Sequence, residues 1–230
     1  MEKKYYEAYD DRYRAVHAKG VSWLSDRSTP IVLDTIGKYG VSRTDAILEI
    51  GCGEGGDARA VLDGGYGLLA TDISEEAVSF CRKRMPAYES SFQVLDCING
   101  SHEGRYDFIY AVAVLHMLVL DEDRKAFYRF LYEHLAEDGI ALICTMGDGS
   151  EEMQSDISMA FQLQERNCGS EKVMVAGTSC RKVSFGTFEK EMDSNHLEII
   201  EKGITSALPD FDALMFAVVR VDARFQKEDS

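Results

Sequence analysis

The residues with the clearest capacity for chemistry are the run Glu49-Ile50-Gly51-Cys52-Gly53-Glu54-Gly55-Gly56, in which glycine recurs at close spacing directly after an apolar stretch. Glycines at the end of a strand let backbone N–H groups approach a ligand where any Cβ would intrude. Gly51, Gly53 and Gly56 also satisfy the dinucleotide pattern GxGxxG, so the glycines alone leave two ligand classes open. Glu49, two places before the first glycine, is the distinguishing feature, because a carboxylate there would sit near the cationic end of a ligand. Asp72 and Asp96 end the next two apolar runs. Acids at the carboxyl ends of three successive strands would converge on one crevice, which is where open parallel sheets bind ligands.

The elements that must position these residues follow from the hydrophobic pattern. Ala46 to Ile50 reads as a strand, Asp57 to Leu62 as a helix and Tyr66 to Thr71 as a second strand. Ser74 is placed to cap the helix that follows, and Ser91 to Leu95 reads as a third strand. Tyr106 to Val112 makes a fourth strand and Asp121 to Leu135 an amphipathic helix, with Gly139 expected to cap that helix and open a fifth strand, Ile140 to Thr145. This alternation implies an α/β fold with a parallel sheet covered on both faces. Ahead of it lie two helices, the first carrying Tyr5, Tyr6, Tyr9 and Tyr13 and the second opening at Pro30. From Gly147 to Arg181 the rhythm breaks, leaving a weak helical pattern near Ile157 to Leu163, as in a lid or substrate loop. Phe185 to Met192 then reads as a helix, and Leu197 to Gly203 and Leu214 to Val221 as an antiparallel strand pair.

Glu49 to Gly55 resembles motif I of the class I S-adenosylmethionine-dependent methyltransferases, and the order of the later segments agrees from about residue 46 to 146. The strand Asp107 to Val112 with Leu115-His116-Met117-Leu118 is similar to motif IV and the segment after it. Leu135 to Ile140 resembles the turn into the fifth strand. The resemblance implies a single methyltransferase domain over residues 1–230, a Rossmann-like, seven-stranded, mostly parallel sheet with helices on both faces and the last strand antiparallel. It implies S-adenosylmethionine as cofactor and S-adenosylhomocysteine as product. The cofactor would contact Glu49, Gly51, Cys52, Gly53, Asp72, Ile73, Asp96, Cys97, Ala111 and Val112. In that arrangement Asp72 holds the ribose hydroxyls and Asp96 the adenine amino group. Ala111-Val112-Ala113 supplies neither the acid nor the amide of signatures that methylate exocyclic base amines, which argues against such an acceptor.

Methyl transfer asks mainly for alignment of the nucleophile. Should a general base be used, His116 is the candidate, since histidine titrates near neutral pH; the competing reading is a packing residue at a helix start. Tyr13 and Trp23, in an N-terminal helical lid over residues 1–40, are candidate substrate contacts, as is Arg181 at the end of a substrate-covering insertion, 147–181. A carboxylate cluster for a metal is not evident, with only Asp148 near the end of the fifth strand, and no metal is expected. A non-catalytic adenosylmethionine-binding protein and a nicotinamide-dependent oxidoreductase remain the alternatives.

Composition narrows the partners. With 40 acidic and 25 basic residues the net charge is −15, which repels phosphate backbones and anionic lipid, so a small-molecule acceptor is expected in preference to nucleic acid or a membrane. Six cysteines without a CxxC pair point to reduced thiols. With no apolar run long enough to span a bilayer and no signal-like N-terminus, a cytoplasmic location is expected.

Overall fold

The computed structural model describes residues 3–23, 28–169, 171–205 and 213–225. Helices α1 (Ala8–His17) and α2 (Pro30–Tyr39) precede strand β1 (Ile47–Ile50), and then α3 (Gly56–Asp63), β2 (Leu68–Asp72), α4 (Glu75–Arg84) and β3 (Phe92–Val94) follow. β4 (Tyr106–Val112), α5 (Asp121–His134) and β5 (Leu135–Met146) continue the alternation. After β5 come four short strands, β6 (Met153–Gln154), β7 (Leu163–Cys168), β8 (Glu171–Ala176) and β9 (Arg181–Lys182). The chain closes with α6 (Phe185–Asp193), β10 (Leu197–Thr205) and β11 (Leu214–Val221).

Seven strands form the main sheet in the order β10-β11-β5-β4-β1-β2-β3. All pairings from β5 to β3 are parallel, and β11 runs antiparallel to both β5 and β10. β1 is buried at every position, as a central strand with both faces covered must be. Ile47 belongs to the core shared with Val32, Ile36 and Val61 of α2 and α3, whereas Leu48 and Ile50 face the core of Phe127 and Phe188 from α5 and α6. The strand order reverses between β1 and β4, so the crevice at their carboxyl ends is where a ligand would enter.

Two expectations from the sequence need correction. Gly139 does not cap α5: the helix ends at His134, Leu135 is already extended, and β5 begins there. The β4–β5 register slips between Tyr106 and Phe108, and a Cβ at Gly139 would lie 2.7 Å from the Tyr106 carbonyl oxygen, so this glycine permits a close backbone approach inside an irregular strand. The insertion is built from strands rather than a weak helix. β6 pairs with β9 and β7 with β8, leaving one 3-10 turn, Ile157–Met159. Val173 and Val175 of β8 are buried with Cys168 against Val16 of α1, while Met174 between them is exposed. That alternation of period two is hidden in sequence by the polar residues of β7.

Candidate functional site

The glycine turn after β1 adopts the left-handed backbone that glycine tolerates, with φ of 74° at Gly51 and 51° at Gly53. A Cβ on Gly51 would stand 2.3 Å from Val114 Cγ2, and one on Gly53 would stand 2.8 Å from the Tyr13 hydroxyl. The turn is tied to the neighbouring strand by Cys52 N–H, which donates to the Thr71 carbonyl at 2.8 Å. Asp72, at the end of β2, accepts from Gly53 N–H at 2.8 Å and from Ser74 N–H at 2.9 Å. Burial pushes its pKa up, and these two backbone bonds oppose that push. A carboxylate has about four acceptor positions, so Asp72 retains capacity for a ligand hydroxyl.

Around this turn lies a narrow cavity of about 90 Å³ that opens to solvent. Ile50 and Gly51 form its floor, Asp72 and Ile73 one wall, and Asp96 and Cys97 the next. Ala113 and Val114 enter from the end of β4, and Tyr6, Tyr9 and Tyr13 form the roof. The three tyrosines fall on one face of the N-terminal helical segment because they are three and four residues apart. Asp72 and Asp96 are the acidic side chains of the lining among the described residues.

The roof is pinned to the domain at several points. The Tyr5 hydroxyl donates to Asp123 at 2.7 Å and accepts from Val119 N–H at 2.9 Å. Asp10 accepts from the Ser74 hydroxyl at 2.7 Å and from Glu76 N–H at 3.1 Å, which carries α1 onto the start of α4. The Tyr6 hydroxyl accepts from Asn99 Nδ2 at 2.5 Å, and Asp96 in turn holds Ile98 N–H at 2.8 Å and Asn99 N–H at 3.1 Å. Burial pushes the Tyr9 and Tyr13 hydroxyls up in pKa, so they remain neutral donors at ordinary pH.

Of the residues singled out from sequence, Gly51, Asp72, Ile73, Asp96, Cys97 and Tyr13 meet at this cavity. Cys52 and Gly53 build the turn beneath it without lining it. Glu49 points to the opposite face of the sheet, buried beside Asp57 and Tyr110, where burial and the Asp57 charge push its pKa well up. The side chain therefore does not present a charge to the cavity. Ala111 and Val112 also fall short: Ala113 N–H still donates to the Cys144 carbonyl at 2.9 Å, and the chain then turns at Ala113 with φ of 58°, so Ala113 and Val114 are the residues exposed to the ligand space. His116 is buried in a 3-10 turn away from the lining, and burial together with the Arg124 charge lowers its pKa to about 4, leaving a weak base.

Trp23 packs edge-on against Tyr13 at 6.0 Å between ring centres, behind the roof. Arg181 is committed elsewhere, donating to the Val119 carbonyl at 2.8 Å and to Asp121 at 2.6 Å. Tyr6 and Tyr9, at helical spacing from Tyr13, complete the aromatic cover expected of the N-terminal tyrosines, and Met117 and Leu118, directly after the histidine, line the cavity without having been singled out. Among the described residues there is no group of three or more His, Cys, Asp and Glu placed to hold a metal ion, and no helix is long and apolar enough to cross a membrane.

Comparison with known proteins bears on this geometry. Residues 48–141 match the family model described as a methyltransferase domain. Juvenile hormone acid O-methyltransferase of Bombyx mori is 26% identical over 110 residues, which are 45% of this chain and 38% of that protein, so the match spans well under half of the relative. The fold is shared with an S-adenosylmethionine-dependent methyltransferase from Clostridium acetobutylicum ATCC 824, with a TM-score of 0.65 at 14% identity over 94% of this chain and 99% of the other. It is shared also with 1,6-didemethyltoxoflavin-N1-methyltransferase of Burkholderia thailandensis, with a TM-score of 0.70 at 13% identity over 96% and 92% of the two chains. That structure holds 1,6-didemethyltoxoflavin and S-adenosylhomocysteine.

Proposed function

We infer that this chain, a class I S-adenosylmethionine-dependent methyltransferase by its fold and by the family model its central segment matches, transfers a methyl group to a small-molecule acceptor. The observation that carries the reading is the placing of Asp72 beside the left-handed Gly51 on one cavity, at a turn so close to Val114 that a Cβ on Gly51 would collide with it. S-adenosylmethionine supplies a methyl group already activated on sulfur. What this chain must add is binding, alignment and exclusion of water.

Its own residues divide that work. Asp72 would take the ribose hydroxyls with its spare acceptor positions, while Gly51 and Ile50 leave room at the floor for the amino-acid end. Cys97 and Ile98 would flank the adenine, and Asp96, already bonded to the turn at Ile98 and Asn99, would both shape that wall and face the ring's amino group. The neutral faces of Tyr6, Tyr9 and Tyr13 would shield the cation and attract it at once. The segment carrying Tyr6, Tyr9 and Tyr13 thus serves as the lid, whereas α2 of the expected 1–40 lid packs with α3 on the other face of the sheet, and residues 147–181 cover the acceptor side within one domain. The six free thiols support a reducing, cytoplasmic setting.

The test is titration calorimetry with S-adenosylmethionine and S-adenosylhomocysteine, followed by measurement of S-adenosylhomocysteine formation with a panel of phenols, thiols, amines and acids. Micromolar binding and turnover with at least one class are expected. Absence of cofactor binding would refute the assignment.

A further inference from the structure

Basic side chains in this acid-rich chain generally find an acid or a backbone carbonyl. Arg14 pairs with Asp10, Arg124 with Glu191, Arg181 with Asp121 and Arg220 with Glu198. Arg43, Arg82 and Arg105 instead donate to the carbonyls of Gly64, Phe92 and Leu135. Arg12 differs. It is half-buried in α1, and its hydrogen bond among the described residues is to the Thr178 hydroxyl at 3.2 Å. Its guanidinium lies 4.7 Å from the centre of the Trp23 ring and 5.8 Å from that of Tyr9. No carboxylate of the described residues pairs with it. Burial lowers its pKa, and the charge of Arg166 pushes the same way, so a second cation faces the same space from β7. The β7–β8 register sets Arg166 opposite Val173, on the face that packs against α1.

A half-buried guanidinium held between aromatic faces, near another arginine and without an anion, is an incomplete charge arrangement. Thr178 already occupies one donor, and Ser179, the next residue, is buried with a hydroxyl that has no partner among the described residues. We propose that Arg12, with Arg166, holds a carboxylate of the acceptor molecule. Tyr9 lines the cavity and Arg12, 5.8 Å from its ring centre, does not, so an anion held by Arg12 would be an anchor and the atom that receives the methyl group another one. The acceptor is therefore a small acid with a second, nucleophilic group on an apolar or aromatic body. Arg181, which the sequence suggested for such a role, has its own carboxylate in Asp121.

This inference rests on the methyl-transfer reading only in calling the ligand an acceptor, and its test does not use turnover. Trp23 is the only tryptophan of the chain, so its fluorescence reports directly on the Arg12 site. The probes are 4-hydroxybenzoate and 4-aminobenzoate, each beside its amide, titrated into the intact protein saturated with S-adenosylhomocysteine and checked by calorimetry. Saturable binding of the acids, at least about tenfold tighter than the amides, is expected, a difference of about 1.4 kcal/mol. Arg12→Gln should abolish that preference while leaving S-adenosylhomocysteine affinity and the melting temperature near those of the parent, and Arg12→Lys should keep part of it. Equal response to acid and amide, no saturable response, or an Arg12→Gln variant with unchanged preference would overturn the proposal. Loss of cofactor affinity in Arg12→Gln with no acid preference in Arg12→Lys would also overturn it, in favour of a packing role. If S-adenosylhomocysteine does not bind the parent protein while the acids do, the methyl-transfer reading fails and the anion site stands.

Discussion

His17 Nε2 lies 2.8 Å from Glu54 Oε1, which joins the end of helix α1 to the glycine turn of the cavity. The other ring nitrogen, Nδ1, lies 2.8 Å from Glu76 of α4, and the ring stacks on Phe80 at 4.3 Å. Both ring nitrogens thus have a carboxylate partner. Glu54 is buried, so removing its partner leaves a carboxylate in poor surroundings. His17→Ala is expected to cost about 1–3 kcal/mol, from the buried carboxylate left without its partner. The loss should appear as weaker S-adenosylmethionine binding in calorimetry together with a lower melting temperature. Parent-like affinity in this variant would show that closure of the roof does not depend on the histidine.

Gly51→Ala sets a methyl group against Val114 in a backbone region unfavourable to L-residues. Gly40, at the C-terminal end of α2, has a φ of 71° with nothing near its Cβ direction, and serves as the control. Both alanine variants should lose about 1–2 kcal/mol of stability through backbone strain alone. Cofactor affinity should fall only in Gly51→Ala. Urea denaturation and calorimetry read the two effects separately.

Asp72→Ala removes the acceptor of two backbone N–H groups as well as the proposed ribose contact. Cofactor affinity should drop by about 1–3 kcal/mol. Asp72→Asn keeps one carbonyl acceptor and should lie between. A variant in which alanine and asparagine bind alike would place the ribose away from this side chain.

The pH dependence of stability follows from His116, whose pKa burial and the Arg124 charge lower from the ordinary 6.5 to about 4. The unfolded chain takes up the proton first, so stability is full above the unfolded pKa and is lost as pH falls below it toward 4. Between pH 7 and pH 5 this group should account for about 2 kcal/mol of lost stability. His116→Asn should flatten that slope when urea denaturation is compared at the two pH values. An unchanged slope would mean that other groups govern the acid limb.

Much of the sheet was legible because β1, β2, β4 and β11 are runs of apolar residues bounded by glycine or acid, and the Ser74 cap formed as expected, accepting from Ala77 N–H at 3.1 Å. The site was legible where it depends on strand ends, as at Asp72 and Asp96. It was less so where side-chain direction decides. Glu49 and Ile50 are neighbours in β1, yet the pleat sends one under α3 and the other to the cavity. Ala113 and Val114 displaced Ala111 and Val112 because the strand runs on until the left-handed turn. The β7–β8 hairpin escaped notice since its apolar face is completed by Val16, about 150 residues earlier in the chain, and no local pattern carries that partnership.

Helix α1 is gripped on two sides, with Tyr9 and Tyr13 turned to the cavity and Val16 packed into the hairpin core. A rigid helix cannot swing away from one neighbour without leaving the other. A movement of the roof away from the cavity would consequently have to carry the hairpin with it or part from it. Turnover under saturating conditions would then be governed by how firmly Val173 and Val175 clasp the helix, residues that lie outside the cavity lining.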